Sequence, residues 1–167
     1  MRIGLLSDTH SYLDPKVLEH FITCDEIWHA GDIGDPQVIA DLQHLKKVRA
    51  VYGNIDDKKV QALWPEDFRA KIEGVSVLMT HIGGTPPRYN PRVKKLLAEK
   101  TPGLFICGHS HILRIGRDSA LGNMLFVNPG AAGNHGFHRM KTIVRFEILG
   151  GEVRSMEVIE LGKRGAD

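Results

Sequence analysis

The feature that most constrains the fold is an alternation, in the first third of the chain, of short apolar runs and helix-start signals. The helix starts are Asp14 and Asp35, each a capping residue followed by proline at the first helical position, and they predict helices that end near Ile22 and His44. This β-α-β-α-β order predicts a parallel sheet with right-handed crossovers. The three apolar runs that we interpret as strands are Arg2–Ser7, Glu26–Ala30 and Val48–Tyr52.

The second half of the chain predicts hairpins, because apolar and polar residues alternate on both sides of glycine turns at Gly74 and at Gly150-Gly151. A short basic helix is predicted between the two hairpins, at Pro91–Glu99. Nine or ten strands in a chain of this length indicate an α/β fold with two stacked sheets covered by helices. The strands of this half are Phe68–Glu73, Val75–Thr80, Leu104–Cys107, Met124–Val127, Thr142–Leu149 and Glu152–Glu160.

Composition excludes several classes of protein. The 167 residues have room for one domain, which we assign to residues 1–161, followed by a polar tail at 162–167. A net charge of +2 is too balanced for a protein that binds nucleic acid by bulk charge. Apolar runs are far shorter than the ~20 residues of a membrane span, and Asp8 comes too early for a signal peptide. We therefore expect a cytoplasmic protein with no membrane partner, in which Cys24 and Cys107 are buried free thiols.

Residue types that bind metals follow five of the apolar runs. Ligands of open α/β sheets bind beyond the carboxyl ends of the strands, so we expect these five segments to meet in one crevice. Residues two apart in extended backbone point to the same side, so both members of a D-x-H or H-x-H pair can face one site. In three of the segments a glycine directly precedes the metal-ligand residue, and these glycines are predicted to permit tight turns. The segments are Asp8-Thr9-His10, Gly31-Asp32, Gly53-Asn54, Thr80-His81 and Gly108-His109-Ser110-His111.

Each segment alone has an ordinary structural explanation. An aspartate after a strand is often a turn or cap residue, Gly53-Asn54 is a common turn, and a lone His81 is compatible with a satisfied buried imidazole. The combination is specific, because chance would have to place a metal-ligand type at all five strand ends. A mixed set of carboxylate, amide and imidazole ligands suits Mn, Fe, Zn, Co or Ni, and no thiolate cluster indicates structural zinc.

In this order the five segments resemble the motif set of the calcineurin-like metallophosphoesterases. The short chain is similar to the small single-domain bacterial and archaeal phosphodiesterases of that superfamily, with the resemblance running from about Met1 to Gly130. It implies an α/β fold, a four-layer α/β/β/α sandwich of two mixed sheets flanked by helices. It also implies two divalent metal ions per chain, with Mn²⁺ favoured. The implied ligands are Asp8, His10 and His111 for the first ion, Asn54, His81 and His109 for the second, and Asp32 as a bridge between them.

The implied reaction is in-line attack on a phosphate ester by a hydroxide that bridges the two ions. No side chain is then assigned as nucleophile, and Asp32, Asn54 and His81 are the predicted catalytic residues. Many family members have histidine directly after the Gly-Asn pair, where this chain has Ile55. Absence of that acid favours diesters or activated esters over alkyl monoesters. Many relatives also follow the His81 position with Gly-His, whereas this chain has a different loop, Ile82–Arg88.

Five further polar residues are candidate substrate contacts, although each has an ordinary explanation as a turn, loop or surface residue. Some of them occupy a loop poor in apolar residues that precedes the last hairpin, where a histidine could replace the missing acid and an arginine could bind a phosphate oxygen. The five are Arg88, Asn128, His135, His138 and Arg139.

We therefore expect a dinuclear phosphodiesterase that acts on a small phosphoester. One alternative is a protein-interaction scaffold on the same fold, because the retromer scaffold subunit is a relative of this kind; such scaffolds lose ligands, whereas all seven positions are intact here. A second alternative is a phosphomonoesterase or a nuclease, although no basic stripe or row of stacking aromatics indicates nucleic acid. Relatives in the small branch often form dimers or tetramers, so the resemblance leaves a homo-oligomer open, although the sequence shows no interface stripe.

Overall fold

The computed structural model describes residues 1–165, which form twelve strands and four α-helices. Every predicted strand is present, and each of its ends lies within three residues of the predicted position. The strands are β1 (Arg2–Leu6), β2 (Glu26–His29), β3 (Lys47–Ala50), β4 (Asp67–Ile72), β5 (Val75–Thr80), β6 (Gly84–Thr85), β7 (Arg88–Tyr89), β8 (Leu104–Ile106), β9 (Leu113–Asp118), β10 (Met124–Pro129), β11 (Met140–Leu149) and β12 (Glu152–Lys163). The helices are α1 (Pro15–Phe21), α2 (Pro36–Leu45), α3 (Lys58–Leu63) and α4 (Pro91–Glu99).

The first sheet has the strand order β12-β11-β1-β2-β3. Its strands β1, β2 and β3 are parallel, as the β-α-β-α-β order predicts, and β11 pairs antiparallel with β1. Helices α1 and α2 form the crossovers, and the carboxylates of Asp14 and Asp35 cap them by accepting the N–H groups of Lys16 and Gln37. The carboxyl ends of the three parallel strands therefore lie side by side at one edge of the sheet.

The second sheet has the strand order β4-β5-β8-β10-β9. Strands β5, β8 and β10 are parallel, and the antiparallel strands β4 and β9 form the two edges. The small ribbon of β6 and β7 lies outside both sheets, in the loop that follows β5. Both large sheets are mixed, as expected.

Three clusters of buried side chains define four layers. The cluster between the sheets includes Leu5 and Trp28 from the first sheet and Met79 and Ile106 from the second. The outer face of the first sheet packs against α1, α2 and α3, and the outer face of the second packs against α4 through Val93 and its neighbours. This arrangement is the α/β/β/α sandwich that the resemblance implies. Cys24 and Cys107 are buried free thiols, as predicted.

Four elements are absent from the sequence-based prediction: helix α3, strand β9 and the two-residue strands β6 and β7. Helix α3 is only six residues long and buries only Val60, so it leaves no apolar periodicity to detect. Strand β9 is almost entirely exposed and therefore lacks the alternation that identifies a half-buried strand. None of the helices in residues 1–165 is long and apolar enough to cross a membrane.

The predicted polar tail begins too early. Strand β12 continues to Lys163, and Gly162 and Lys163 pair with Lys141 and Met140 of β11. The strand extends beyond Glu160 because its partner strand also begins earlier than predicted, at Met140. Positions 166 and 167 of the predicted tail lie outside the described residues.

The buried carboxylate of Glu26 makes stability depend on pH. Burial opposes its ionisation, but hydrogen bonds from Arg49, Lys47 and Trp28 outweigh burial and lower the pKa of Glu26 from 4.5 to about 2. Its contribution to stability is therefore complete above pH ~4.5 and lost as the pH falls towards ~2. We expect Glu26→Gln to lower the unfolding free energy at pH 7 by about 1.5–3 kcal/mol in urea titrations, because the variant loses charge-assisted hydrogen bonds. An unchanged free energy at pH 7, or a loss that persists undiminished at pH 2.5, would contradict this expectation.

Candidate metal centre

The structure brings six of the seven predicted ligands together at the carboxyl ends of β1, β2, β5 and β8. One group consists of Asp8, His10, Asp32 and His111, and a second consists of Asp32, His81 and His109. Within each group, one potential ligand atom per residue lies within 4.8 Å of the others. The two sheets contribute to both groups, so the centre forms only when the sandwich is assembled.

Asp32 belongs to both groups. Its Oδ1 lies 3.1 Å from His81 Nε2, and its Oδ2 lies 3.6 Å from His10 Nε2. Asp8 lies opposite, with its Oδ1 3.2 Å from His111 Nε2 and 3.9 Å from His81 Nε2. Two buried carboxylates are thus surrounded by imidazoles, and the carboxylate of Asp32 is positioned to face two ions at once.

Asn54, the seventh predicted ligand, is exposed and follows β3. Its two neighbours contact the centre: the backbone N–H of Ile55 donates to Asp32 Oδ1 at 3.1 Å, and a Cβ on Gly53 would overlap the same carboxylate. The backbone therefore carries Asn54 to the side of the centre where Asp32 and His81 meet. Its role as a ligand of the second ion stays a prediction.

The conformation of the ligands differs from the extended backbone assumed from the sequence. Five of the ligands have positive φ: Asp8 (56°), His10 (47°), Asp32 (54°), His109 (68°) and His111 (57°). Each such non-glycine residue costs on the order of 1–2 kcal/mol, and strain of this kind clusters at functional sites. Asp8 and His10 do share one group, but His109 and His111 fall into different groups, because the turned backbone separates the two imidazoles.

The glycines next to the ligands also have more than one role. Gly31 has a φ of 94° and makes the tight turn that was predicted. A Cβ on Gly53 would instead overlap the carboxylate and backbone of Asp32, and a Cβ on Gly108 would overlap the Ser7 hydroxyl. Turns do follow both residues, since the Gly53 carbonyl accepts the Asp56 N–H and the Gly108 carbonyl accepts the Ser110 N–H. Neither glycine has a positive φ, so close packing of neighbouring segments is the reason for glycine at these two positions.

Hydrogen bonds outside the ligand groups orient the ligands. The Nδ1–H of His81 donates to the Ala30 carbonyl at 2.8 Å, which leaves Nε2 as the atom with a free lone pair directed at the carboxylates. Buried Asp56 accepts the backbone N–H groups of Gly34 and Gly53, both at 2.7 Å, and so joins the loops after β2 and β3. The sequence-based prediction missed Asp56, although its place two residues after Asn54 is a signal.

A fully buried histidine supports the first two loops. The Gly31 N–H donates to His29 Nδ1 at 3.2 Å, so Nε2 carries the proton and donates to Thr9 Oγ1 at 2.9 Å. The Thr9 hydroxyl then donates to the Ile33 carbonyl. Burial lowers the pKa of His29 to about 3, so this imidazole is neutral at physiological pH. These contacts make His29 a structural residue that holds the loops after β1 and β2 together.

The electrostatics of the ligands follow from burial and from their neighbours. For His81, burial is outweighed by the nearby carboxylates of Asp32 and Asp8, which raise its pKa. Burial lowers the pKa of His10 and of His109. The pKa of Asp32 is lowered because His81 outweighs the effect of burial.

The candidate substrate residues occupy two sides of the centre. The ring of His135 lies 4.9 Å from that of His10, and the ring of His138 lies 5.3 Å from that of His111. His138 Nε2 donates to the Gly133 carbonyl at 3.0 Å, and burial lowers the pKa of His138. Arg139 is exposed at the end of the same loop.

The other two candidates lie on the side of His109. Asn128 Nδ2 donates to the Gly108 carbonyl at 2.8 Å and to Ser110 Oγ at 3.1 Å, while its Oδ1 accepts the Gly130 N–H. These bonds fix the turn that carries His109. Arg88 is exposed on the β6–β7 ribbon and lines a groove next to His109.

The residues fit a pair of divalent ions on one observation in particular. Asp8 Oδ1 and His81 Nε2 are buried polar atoms without a hydrogen-bond partner, and both point into the space between the ligand groups. Buried polar atoms are almost always paired, so two unpaired atoms at the junction of six potential ligands indicate that a cation completes the site. Carboxylates and imidazoles without thiolates suit ions such as Mn²⁺, Fe²⁺, Co²⁺ or Zn²⁺.

Known proteins are similar to this chain in sequence and in fold. The profile of the calcineurin-like phosphoesterase superfamily domain matches residues 1–151. A probable metallophosphoesterase of Methanocaldococcus jannaschii is 33% identical over 138 residues, which cover 78% of this chain and 68% of that protein.

Two solved structures share the fold at lower identity. A novel archaeal phosphodiesterase superposes with a TM-score of 0.75 at 22% identity, covering 95% of this chain and 100% of that one. Zinc-bound Vps29 of Entamoeba histolytica superposes with a TM-score of 0.72 at 19% identity, covering 96% and 99%. With the profile match over nearly the whole chain and the ligand groups at the strand ends, the chain belongs to the calcineurin-like phosphoesterase superfamily.

Proposed function

We propose that the chain is a phosphodiesterase that depends on two divalent metal ions, with Mn²⁺ as the favoured metal. The observation that carries the proposal is the position of Asp32, whose carboxylate belongs to both ligand groups and lies beside the unpaired atoms of Asp8 and His81. When bound, two neighbouring ions supply Lewis-acid stabilisation of a phosphoryl group and lower the pKa of a coordinated water.

The side chains of the centre have separate tasks in this proposal. Asp8, His10 and His111 hold the first ion, and Asn54, His81 and His109 hold the second, with Asp32 between them. His81 keeps its Nε2 lone pair directed inward because its Nδ1–H is bound to Ala30. Asp56 and His29 fix the loops so that the ligands keep one geometry in the absence of substrate.

The absence of an acid at Ile55 favours diesters or activated esters over alkyl monoesters. The Ile55 side chain is exposed next to Asp32 and has no proton to give to a leaving group. An alkoxide leaving group needs such a proton, whereas an aryl oxide does not. His135 and His138 lie on the opposite side of the ligands, against His10 and His111, and are the groups that would supply a proton if monoesters were preferred.

The test is a set of initial rates with protein that has been stripped of metal and reloaded with Mn²⁺. We expect about two ions per chain, faster turnover of an aryl phosphodiester than of the aryl monoester with the same leaving group, and a rate on an alkyl monoester that is lower by ~10²-fold or more. The Asp32→Ala variant controls for contaminating phosphatase. Faster hydrolysis of the aryl monoester than of the aryl diester would contradict the assignment as a phosphodiesterase.

A scaffold function is the second candidate, and the similarity to Vps29 in fold favours it. Bound metal without turnover of diesters or monoesters would support the scaffold. The cytoplasmic location and the homo-oligomer stay predictions, which fractionation of cells and light scattering of the purified protein can test.

A further inference from the structure

A groove of about 350 Å³ begins at the metal centre and runs away from it. His109 of the second ligand group forms one wall at its inner end, together with Ser110. Arg88 from the β6–β7 ribbon and Arg114 from β9 line the rest, over a base that includes Phe126. A substituent of a substrate held at the centre through phosphorus can therefore extend along this groove.

The charge of the groove is positive. Its lining includes two guanidinium groups and no carboxylate. Within residues 1–165, no carboxylate oxygen lies within 4.0 Å of Arg88 or Arg114, whereas four other arginines of the chain pair with a glutamate or aspartate: Arg49, Arg92, Arg145 and Arg154. Arg114 is also positioned, because its Nη2 donates to the Pro86 carbonyl at 3.1 Å. Two uncompensated guanidinium groups at one small groove attract an anion.

Hydroxyl groups add donors to the same groove. Thr85 Oγ1, on the ribbon, is buried and has no hydrogen-bond partner. Ser110 Oγ accepts from Asn128 Nδ2 and from the Ile112 N–H, so its own proton is available to a ligand. Buried hydroxyls without hydrogen-bond partners are uncommon. The hydroxyl of Thr85 is such a group, and Thr85 lies opposite Arg88 in the ribbon and next to Pro86, which Arg114 contacts.

We propose that this groove binds an anionic group on one ester arm of the substrate, so that the preferred phosphodiesters carry a second negative charge beyond the scissile phosphorus. The inference rests on the proposed function and names its substrate class. The exposed side chain of Ile112 lines the same groove and offers an apolar contact to the carbon skeleton between the two charges. The loop Ile82–Arg88, which differs from the family pattern, thereby acquires a role in selecting the substrate.

The test compares two diesters that differ by one phosphate: the p-nitrophenyl ester of thymidine 5′-phosphate, and the same compound with a 3′-phosphate. At constant ionic strength we expect kcat/KM to be about tenfold higher for the 3′-phosphorylated compound. In the Arg88→Gln/Arg114→Gln double variant the preference should disappear, so that the two compounds react equally. Equal rates in the unmodified enzyme would overturn the inference.

Arg117→Gln is the matched control. Arg117 lies on the same strand as Arg114, is exposed, and also donates to one backbone carbonyl, that of Asn123, but it lies outside the groove. We expect it to leave the tenfold preference intact. Loss of the preference in this variant as well would show that overall charge is responsible and would overturn the groove as the site.

A binding measurement distinguishes failure of this inference from failure of the proposed function. Calorimetry with thymidine 3′,5′-bisphosphate and thymidine 5′-phosphate measures the groove without any turnover. Tighter binding of the bisphosphate that disappears in the Arg88→Gln/Arg114→Gln variant supports the groove even if no diester is hydrolysed, in which case the proposed function alone fails. Equal affinity for both compounds would overturn the proposal that the groove binds an anion, whether or not the protein hydrolyses diesters.

Discussion

The Asp32→Ala variant is expected to lose at least about 10³-fold in kcat/KM on an aryl phosphodiester. Among residues 1–165, this carboxylate alone belongs to both ligand groups, with its oxygens 3.1 Å from His81 Nε2 and 3.6 Å from His10 Nε2. Under the proposed function, removing this carboxylate takes away the charge that would allow two cations to lie close together. Two ions contribute several kcal/mol of transition-state stabilisation, and about 4 kcal/mol corresponds to ~10³ in rate.

Metal content and folding distinguish this effect from a general loss of structure. We expect the variant to bind fewer than two Mn²⁺ per chain by elemental analysis, while its circular dichroism spectrum stays that of the unsubstituted protein. Asp32→Asn keeps an oxygen to accept the Ile55 N–H and should fold equally well but remain as inactive. Asp41→Ala, on the surface of α2 and bound only to the Gln37 side chain, is the matched control and should keep full activity. Full metal content and full activity in Asp32→Ala would rule out a bridging role.

Much of this centre could be predicted because its residues lie in short sequence patterns that are recognisable without knowledge of the fold. Each ligand directly follows an apolar run, and the parallel topology of β1, β2 and β3 guarantees that such ends are neighbours. The helix caps Asp14 and Asp35 are equally local, since a carboxylate and a following proline suffice to begin a helix.

Other features depend on contacts between distant segments, which no local pattern records. The positive φ of Asp8 and His111 arises where the loops of two sheets meet, so an extended backbone was the wrong assumption there. The collision that requires glycine at Gly53 involves Asp32, which lies in the loop after another strand, β2. The groove needs β9, an exposed edge strand without a hydrophobic pattern, to bring Arg114 next to the β6–β7 ribbon.

Lys141→Met is expected to lower the unfolding free energy by about 3–5 kcal/mol at pH 7. Lys141 is 1% exposed and its Nζ donates to Asp14 Oδ2 at 2.8 Å, above the ring of Tyr12. Asp14 is 6% exposed and caps α1 through its other oxygen. Methionine fills a similar volume but leaves a buried carboxylate without its cation, and breaking a buried pair from one side costs about this much.

The Asp14→Asn substitution turns this expectation into a double-mutant cycle. Asparagine caps helices as well as aspartate does, so Asp14→Asn removes the charge and keeps the bond to the Lys16 N–H. In the Lys141→Met/Asp14→Asn double variant neither charge is buried, and we expect most of the stability to return. Urea titrations of the four proteins should give a coupling energy of about 2 kcal/mol or more. A double variant as unstable as Lys141→Met would mean that packing of the lysine stem, not the charge of Asp14, is responsible.

Acid should reduce the difference in unfolding free energy between the Lys141→Met variant and the unsubstituted protein. In the unsubstituted protein, burial of Asp14 is outweighed by Lys141 and the Lys16 N–H, so the pKa of Asp14 is lowered from 3.8. The contribution of the ionised Asp14 carboxylate to stability is therefore present above pH ~4 and is lost as the pH falls through the lowered pKa. In Lys141→Met the opposite holds, because burial without a cation raises the pKa and protonation relieves the penalty. The two stability curves should consequently converge between about pH 5 and pH 3, and a difference that stays constant over this range would exclude Asp14 as the titrating group.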